Sequence, residues 1–138
     1  MDINNLTDLT DEQVLQRLLD VDTVPEKTVV IPRLDIPVTI KGITGKQVFA
    51  LRNKCTYKKK TRRGITEEFD GEAFNCGLIA LATVKPNWGD SKLLSKFKAS
   101  GPEEVIKKVL LAGELESLGD AILDLSGYNV ELEDVKNL

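Results

Sequence analysis

Between Asp70 and Gly127 apolar residues recur at helical spacing, but prolines and helix caps cut the pattern into short pieces. From Asp70 as N-cap, "GEAFNCGLIALATV" sets Phe74, Leu78, Leu81 and Ala82 on one side with Ile79 beside them, until Pro86 stops the run. Asp90 caps a shorter helix carrying Leu93, Leu94 and Phe97. Ser100 to Glu103, with Pro102, opens another, whose Val105, Ile106, Val109 and Leu110 fall at core spacing. Leu111, Leu115, Leu118, Ile122 and Leu125 follow at intervals of 4, 3, 4 and 3 before Gly127 supplies a stop, with Gly113 as the joint between two helices. A short helix buries its one apolar stripe only against other elements, so the chain must assemble its core from many small pieces.

The N-terminal part has a different texture. "LTDEQVLQRLLD" pairs Thr10 with Gln13 as a capping box and places Val14, Leu15, Leu18 and Leu19 on an apolar stripe, which predicts a short amphipathic helix. β-Branched residues then dominate Thr28 to Ile31 and Val38 to Ile40, punctuated by Pro32 and Pro37, which predicts a two-stranded hairpin with at least one edge. Thr44 and Gln47 repeat the capping box, opening a helix with Val48, Phe49 and Leu51 inward. The fold class expected is α+β, mostly α-helical: a short N-terminal β hairpin packed with a bundle of about five short helices. The length of 138 residues fits a single domain over 1–138, with 1–9 and 128–138 as loose ends.

The stretch "RNKCTYKKKTRRG" holds seven basic residues and no acid, although the whole chain carries a net charge of −3. Residues 1–24 carry −5, residues 25–102 carry +8 and residues 103–138 carry −6, so the basic centre is flanked by acidic ends of the same molecule. A nucleic acid would compete with those flanks while releasing its own counterions. The run has one aromatic, Tyr57, where single-strand binders interleave several stacking rings. "YKKKTRRGITEEFDG" shows no apolar period and is expected to be a solvated loop, with Lys58, Lys59, Lys60, Arg62 and Arg63 as candidate partner contacts. Trp88, the sole tryptophan, has two candidate places, a core lid or an interface anchor. Leu111, Leu115 and Leu118 have two as well, the core or a groove for a partner helix.

Catalytic chemistry finds little support. "KGITGKQ" has Ile40 where a phosphate-binding loop needs its first glycine, and Gln47 where it needs a hydroxyl. Glu67, Glu68, Asp70 and Glu72 lack the alternating ligands and fixed glycine of a calcium loop. The chain has no histidine, so a serine or cysteine nucleophile lacks its commonest base. Cys55 and Cys76, without CxxC spacing, read as reduced structural thiols. Neither catalysis, metal nor cofactor is expected. An acidic N-terminus and the lack of an apolar run near ~18 residues point to the cytoplasm.

Over "NWGDSKLLSKFKASGPEEVIKKVLLAGELESLGDAILDLSGY" the sequence resembles the XkdN-like family of phage tail assembly chaperones, found in contractile-tailed phages and prophages of Gram-positive bacteria. Pro102, Glu103 and Glu104, the "LLAGE" at Leu110 to Glu114, and the "LSGY" at Leu125 to Tyr128 carry the resemblance. It extends upstream through "VKPNW" and the lysine run to the proline-punctuated strands. The resemblance implies a non-enzymatic protein of the bacterial host cytoplasm that binds the tape measure protein, keeps it soluble and helps the tail tube protein assemble around it. It further implies a longer, frameshifted form of the same chain as a companion, and absence from the mature virion. Two other classes stay open: a nucleic-acid-associated phage protein using the basic residues of 52–63 as phosphate contacts, and a minor structural component of the tail.

Overall fold

The computed structural model describes residues 3–21 and 24–133. Within them a 3-10 turn, Ile3–Asp8, precedes α1 (Asp11–Leu19), the hairpin β1 (Glu26–Ile31) and β2 (Ile36–Lys41), and α2 (Gly45–Lys54). A second hairpin, β3 (Thr56–Thr61) and β4 (Gly64–Phe69), leads to α3 (Gly71–Ala82), the short β5 (Thr83–Lys85), α4 (Ser91–Phe97), α5 (Pro102–Val109) and α6 (Ala112–Leu125). The class is α+β, as expected, with about half of the chain helical and two small antiparallel sheets where one hairpin was foreseen.

The caps form as the sequence predicts. Thr10 Oγ1 accepts from Gln13 N at 3.2 Å and Gln13 Oε1 accepts from Thr10 N at 2.9 Å; Thr44 and Gln47 repeat the exchange at 3.3 and 2.9 Å. Asp70 Oδ1 accepts from Ala73 N at 3.0 Å and Asp90 Oδ1 from Lys92 N at 2.8 Å. "KGITGKQ" is thereby accounted for as a buried Ile43 followed by a helix cap. The joint before α6 falls at Leu110 and Leu111, so Gly113 sits in the first turn of that helix and not at the break.

The first sheet runs β1-β2-β5, which leaves β1 on an edge. Val29 faces Val38 and Ile31 faces Ile36 across β1 and β2. Asp35, at φ 54, turns the chain between them; Asp tolerates that backbone better than most residues. One face of the sheet, with Val38 and Ile40, packs under α3 and α6, and α5 packs against α3. Leu78, Ile79, Val105, Ile106 and Ile122 complete this core, all without solvent exposure. Trp88 is buried beside them, its Nε1 donating to Thr83 Oγ1 at 3.2 Å while Thr83 Oγ1 donates to the carbonyl of Ile79 at 2.6 Å. The indole is a core lid and is withdrawn as a partner-binding residue, because its ring offers a partner almost no surface.

Three further expectations change. The basic stretch is not a loop: Thr56–Thr61 pairs antiparallel with Gly64–Phe69, and every residue but Thr56 is exposed. Phe49 points outward, 62% exposed, because α2 turns Val48 and Leu51 to the core instead. The α1 stripe is formed but uncovered: no residue of that helix is buried, and Leu18 and Leu19 are 67% and 68% exposed. Of the expected loose ends, Ile3–Asp8 is a 3-10 turn, residues 130–133 are exposed and without regular structure, and residues 134–138 lie outside the described residues.

Candidate partner-binding groove

β1 and α6 lie side by side without filling the space between them. A trough of about 540 Å³ opens there, with buried Ile31 and Leu118 at its floor. Val29, Val30 and Pro32 form the strand wall, and Leu111, Ser117 and Ala121 the helix wall. Leu111 is 56% and Val30 61% exposed, so apolar surface here stays in water. Leu115 is half-buried against the core and does not line the trough. Of the three leucines singled out from the sequence, Leu111 and Leu118 therefore meet at this groove and Leu115 does not.

An ion pair fixes one end. Arg33, just after β1, donates from Nη2 and Nε to the Glu114 carboxylate at 2.8 and 3.0 Å, and from Nη2 to the Val109 carbonyl at 2.8 Å. Glu114 Oε1 also accepts from Leu111 N at 2.8 Å, which caps the start of α6. The Arg33 hydrogen bond, then the Leu111 amide, hold the Glu114 carboxyl below its ordinary value, and the same ion pair raises Arg33. Planar two-point pairing of this kind sets the angle between strand and helix. At the far end of α6, Ser126 Oγ accepts from Ile43 N at 2.9 Å and donates to the Ile122 carbonyl at 2.7 Å. Gly42 lies so close that a Cβ there would stand 2.5 Å from the Leu125 carbonyl oxygen. Along the outer flank of α6, Glu116, Asp120 and Asp124 are exposed at steps of four, making an acidic rim beside the groove.

The basic residues lie elsewhere, on the β3–β4 ribbon. Its register sets Tyr57 opposite Glu68 and Lys58 opposite Glu67, and in the latter pair acid from the second strand meets base from the first. Lys59, Lys60, Arg62 and Arg63 gather towards the tip, where Gly64, at φ 120, closes the turn. Phe69 against Phe74, ring centroids 5.5 Å apart, and Asp70 N donating to the Cys55 carbonyl at 2.9 Å seat the ribbon's base. The candidate residues thus fall into two separate surfaces, not one site. The signal that would have revealed the ribbon was modest: β-branched and aromatic residues at Thr56, Tyr57, Ile65, Thr66 and Phe69 around a glycine turn.

The remaining candidates are occupied structurally. Glu72 pairs with Lys107 at 3.2 Å and Asp70 caps α3. Among the described residues no three His, Cys, Asp or Glu side chains come together as a metal-binding group. Cys55 and Cys76 are free and buried, and burial above all pushes both thiols upward, away from the reactive thiolate. No helix among the described residues is long and apolar enough to cross a membrane.

Compared with protein families, residues 15–138 match the phage XkdN-like tail assembly chaperone protein family. The chain belongs to that family. A search of curated proteins finds no match. Among solved structures, this tail assembly chaperone is similar to the crystal structure of the protein yqbn, at a TM-score of 0.58 and 22% identity, over 81% of this chain and 94% of that one. At that identity the likeness is one of fold.

The residues that suggested the family turn out to be the chaperone's joints. Glu114 of "LLAGE" binds Arg33, "LSG" locks the end of α6 onto the β2–α2 connection, and Glu104 accepts from Ser100 N at 2.8 Å and Ser100 Oγ at 3.0 Å to close the start of α5. Of these residues, Leu111, Gly113 and Glu114 line the groove.

Proposed function

We propose that this tail assembly chaperone binds a helical segment of the tape measure protein in the β1–α6 groove and holds it in solution while tail tube protein assembles around it. The observation that carries this reading is an apolar trough, with exposed Leu111 and Val30, bordered by the acidic row Glu116, Asp120 and Asp124. An amphipathic helix docks in such a trough through anchors at i, i+3, i+4 and i+7. Its complement here carries apolar anchors with lysine or arginine on the flank facing α6. Binding energy does the holding, with no nucleotide hydrolysis and no covalent chemistry. The chaperone acts in the host cytoplasm and leaves before the virion is complete.

Co-expression of the cognate tape measure protein with the chaperone is the test. Soluble tape measure protein that co-purifies with the wild type, and that is lost with Leu111→Glu or Ser117→Trp, is the expected result. Both substitutions fall on exposed positions, so folding is spared. Equal solubility with and without the chaperone, and no co-purification, refutes the assignment.

A further inference from the structure

The β3–β4 ribbon is charged unevenly along its length. Its outer half holds Lys59, Lys60, Arg62 and Arg63 and no acid, whereas its base half sets Glu67 and Glu68 beside Lys58 and Tyr57. No ion pair among the described residues reaches any of the four outer cations. We propose that this tip is a binding site for double-stranded DNA, entering the major groove and setting its cations against the phosphates of both walls.

Strand alternation decides which partner can use all of these charges. Lys60 points to one face of the ribbon with Lys58, and Lys59 to the other with Tyr57, while Arg62 and Arg63 are the turn residues at the tip. A flat acidic protein surface meets one face alone and so forgoes one of the two lysines. An anionic cleft with two walls meets both faces. The major groove of B-form DNA is such a cleft, about 12 Å wide and about 8.5 Å deep, and it admits a two-stranded ribbon. The acid-free part of this ribbon, from the pair Lys59 and Thr66 to the pair Thr61 and Gly64, is about 10 Å long, so it fills the depth of the groove and leaves Glu67 and Glu68 outside. The tip is also held in shape. Thr61 Oγ1 donates to the Gly64 carbonyl at 2.8 Å and accepts from Arg63 N at 3.3 Å, which lowers the ordering cost of docking the turn.

The same features set other nucleic acids aside. Double-stranded RNA has a deep, narrow major groove that keeps side chains out. Single strands bind through stacked rings, and Tyr57, the one aromatic on the basic strand, lies in the acidic base half opposite Glu68. The chain's net charge of −3 does not oppose the contact. Arg62 stands about 20 Å along the ribbon from Thr56, at ~3.3 Å per residue, and the screening length at 0.1 M salt is about 10 Å. Acids in the body of the molecule are therefore largely hidden from a duplex held at the tip.

Fluorescence anisotropy of a short labelled DNA duplex tests this, with the full chain titrated up to about 100 µM because sequence-independent contacts reach about 1–100 µM. Each phosphate contact adds about −0.9 to the slope of log affinity against log salt, so four contacts give about −3.6, a loss of about 150-fold between about 50 and 200 mM salt. Lys59→Gln with Lys60→Gln, and Arg62→Gln with Arg63→Gln, are each expected to halve that slope and to weaken binding at the lower salt by more than about tenfold. Circular dichroism and the melting temperature are expected to stay unchanged, since all four positions are exposed. Equal affinity for single-stranded DNA or double-stranded RNA overturns the proposal. So do an absence of binding at the lower salt, a slope untouched by either pair of substitutions, and polyglutamate competing as well as unlabelled duplex, which would make the tip a contact for an acidic protein. The tip lies apart from the β1–α6 groove, so both pairs are expected to leave co-purification of the tape measure protein unchanged, and the two proposals stand or fall separately.

Discussion

Arg33 shows how one side chain can hold a surface open. Its guanidinium ties the end of β1 to the first turn of α6, leaving the apolar stretch between them uncovered. Glu114 has its carboxyl depressed in the folded chain, so its contribution to stability is present above the ordinary value of 4.5 and is lost as pH falls through the lower, folded value. Glu104, brought down to about 2 by the Ser100 amide and hydroxyl and by Lys108, acts in the same sense and extends the acid limb towards that pH. Calorimetry is expected to find Glu114→Gln melting lower than the wild type at pH 7, the two converging as pH drops below 4.5. A constant difference across that range would show that the ion pair is not the source. At this scale the sequence was informative about caps and weak about partners. Thr10 with Gln13 and Thr44 with Gln47 announce themselves by spacing, whereas Arg33 and Glu114 are 81 residues apart and nothing local links them. Trp88 and Phe49 illustrate the same limit: each could face in or out, and only the packing of neighbouring helices decided.

Among the elements, α6 carries most of the organisation and β3–β4 the least. Asn75 on α3 donates from Nδ2 to the Leu115 carbonyl at 2.9 Å, and a Cβ on Gly119 would collide with the Asn75 amide oxygen. Gly→Ala inside a helix usually stabilises by about 1 kcal/mol. Here Gly119→Ala is expected to destabilise by about 1–3 kcal/mol through overpacking, and to become neutral or favourable when Asn75→Ala supplies the room. Denaturant melts of the four proteins in that cycle measure the coupling; additive effects would deny the contact its role. The ribbon behaves differently, since it touches the rest of the chain mainly at its base. Gly64→Ala strains a φ of 120 and is expected to cost about 1–3 kcal/mol locally. Amide exchange across β3 and β4 should quicken while the global melting temperature holds, because the opening is confined to the hairpin. The ribbon escaped prediction because strand alternation is legible only when one face is buried, and here both faces are wet. α3, α5 and α6 were readable for the opposite reason, each having one face committed to the core.

For the molecule as a whole, the core is built from a few residues of each of several elements. Val38 and Ile40 come from the sheet, Leu78 and Ile79 from α3, Val105 and Ile106 from α5 and Ile122 from α6. Removing one loosens several elements together, so Ile106→Ala is expected to cost about 2–5 kcal/mol in a single cooperative transition. By contrast the pair Leu15→Asp and Leu18→Asp should leave that transition in place, and circular dichroism melts of both variants check the contrast. The sequence conveyed the α+β class and most of the helical core. It did not convey which apolar stripe would be left over, because α1 has the same spacing and capping as the buried helices.

The edge position of β1 has its own consequence. An open strand with an outward valine invites pairing by any extended chain and, repeated, the growth of cross-β ribbons. Pro25 and Pro32 bracket Glu26–Ile31, and Pro37 opens the second residue of β2, so a ladder growing outward meets a missing amide at either limit of the six-residue strand. Lys27 and Arg33 add charge that incoming strands must desolvate. These prolines act as gatekeepers, confining a sticky edge to a length too short to template a fibre.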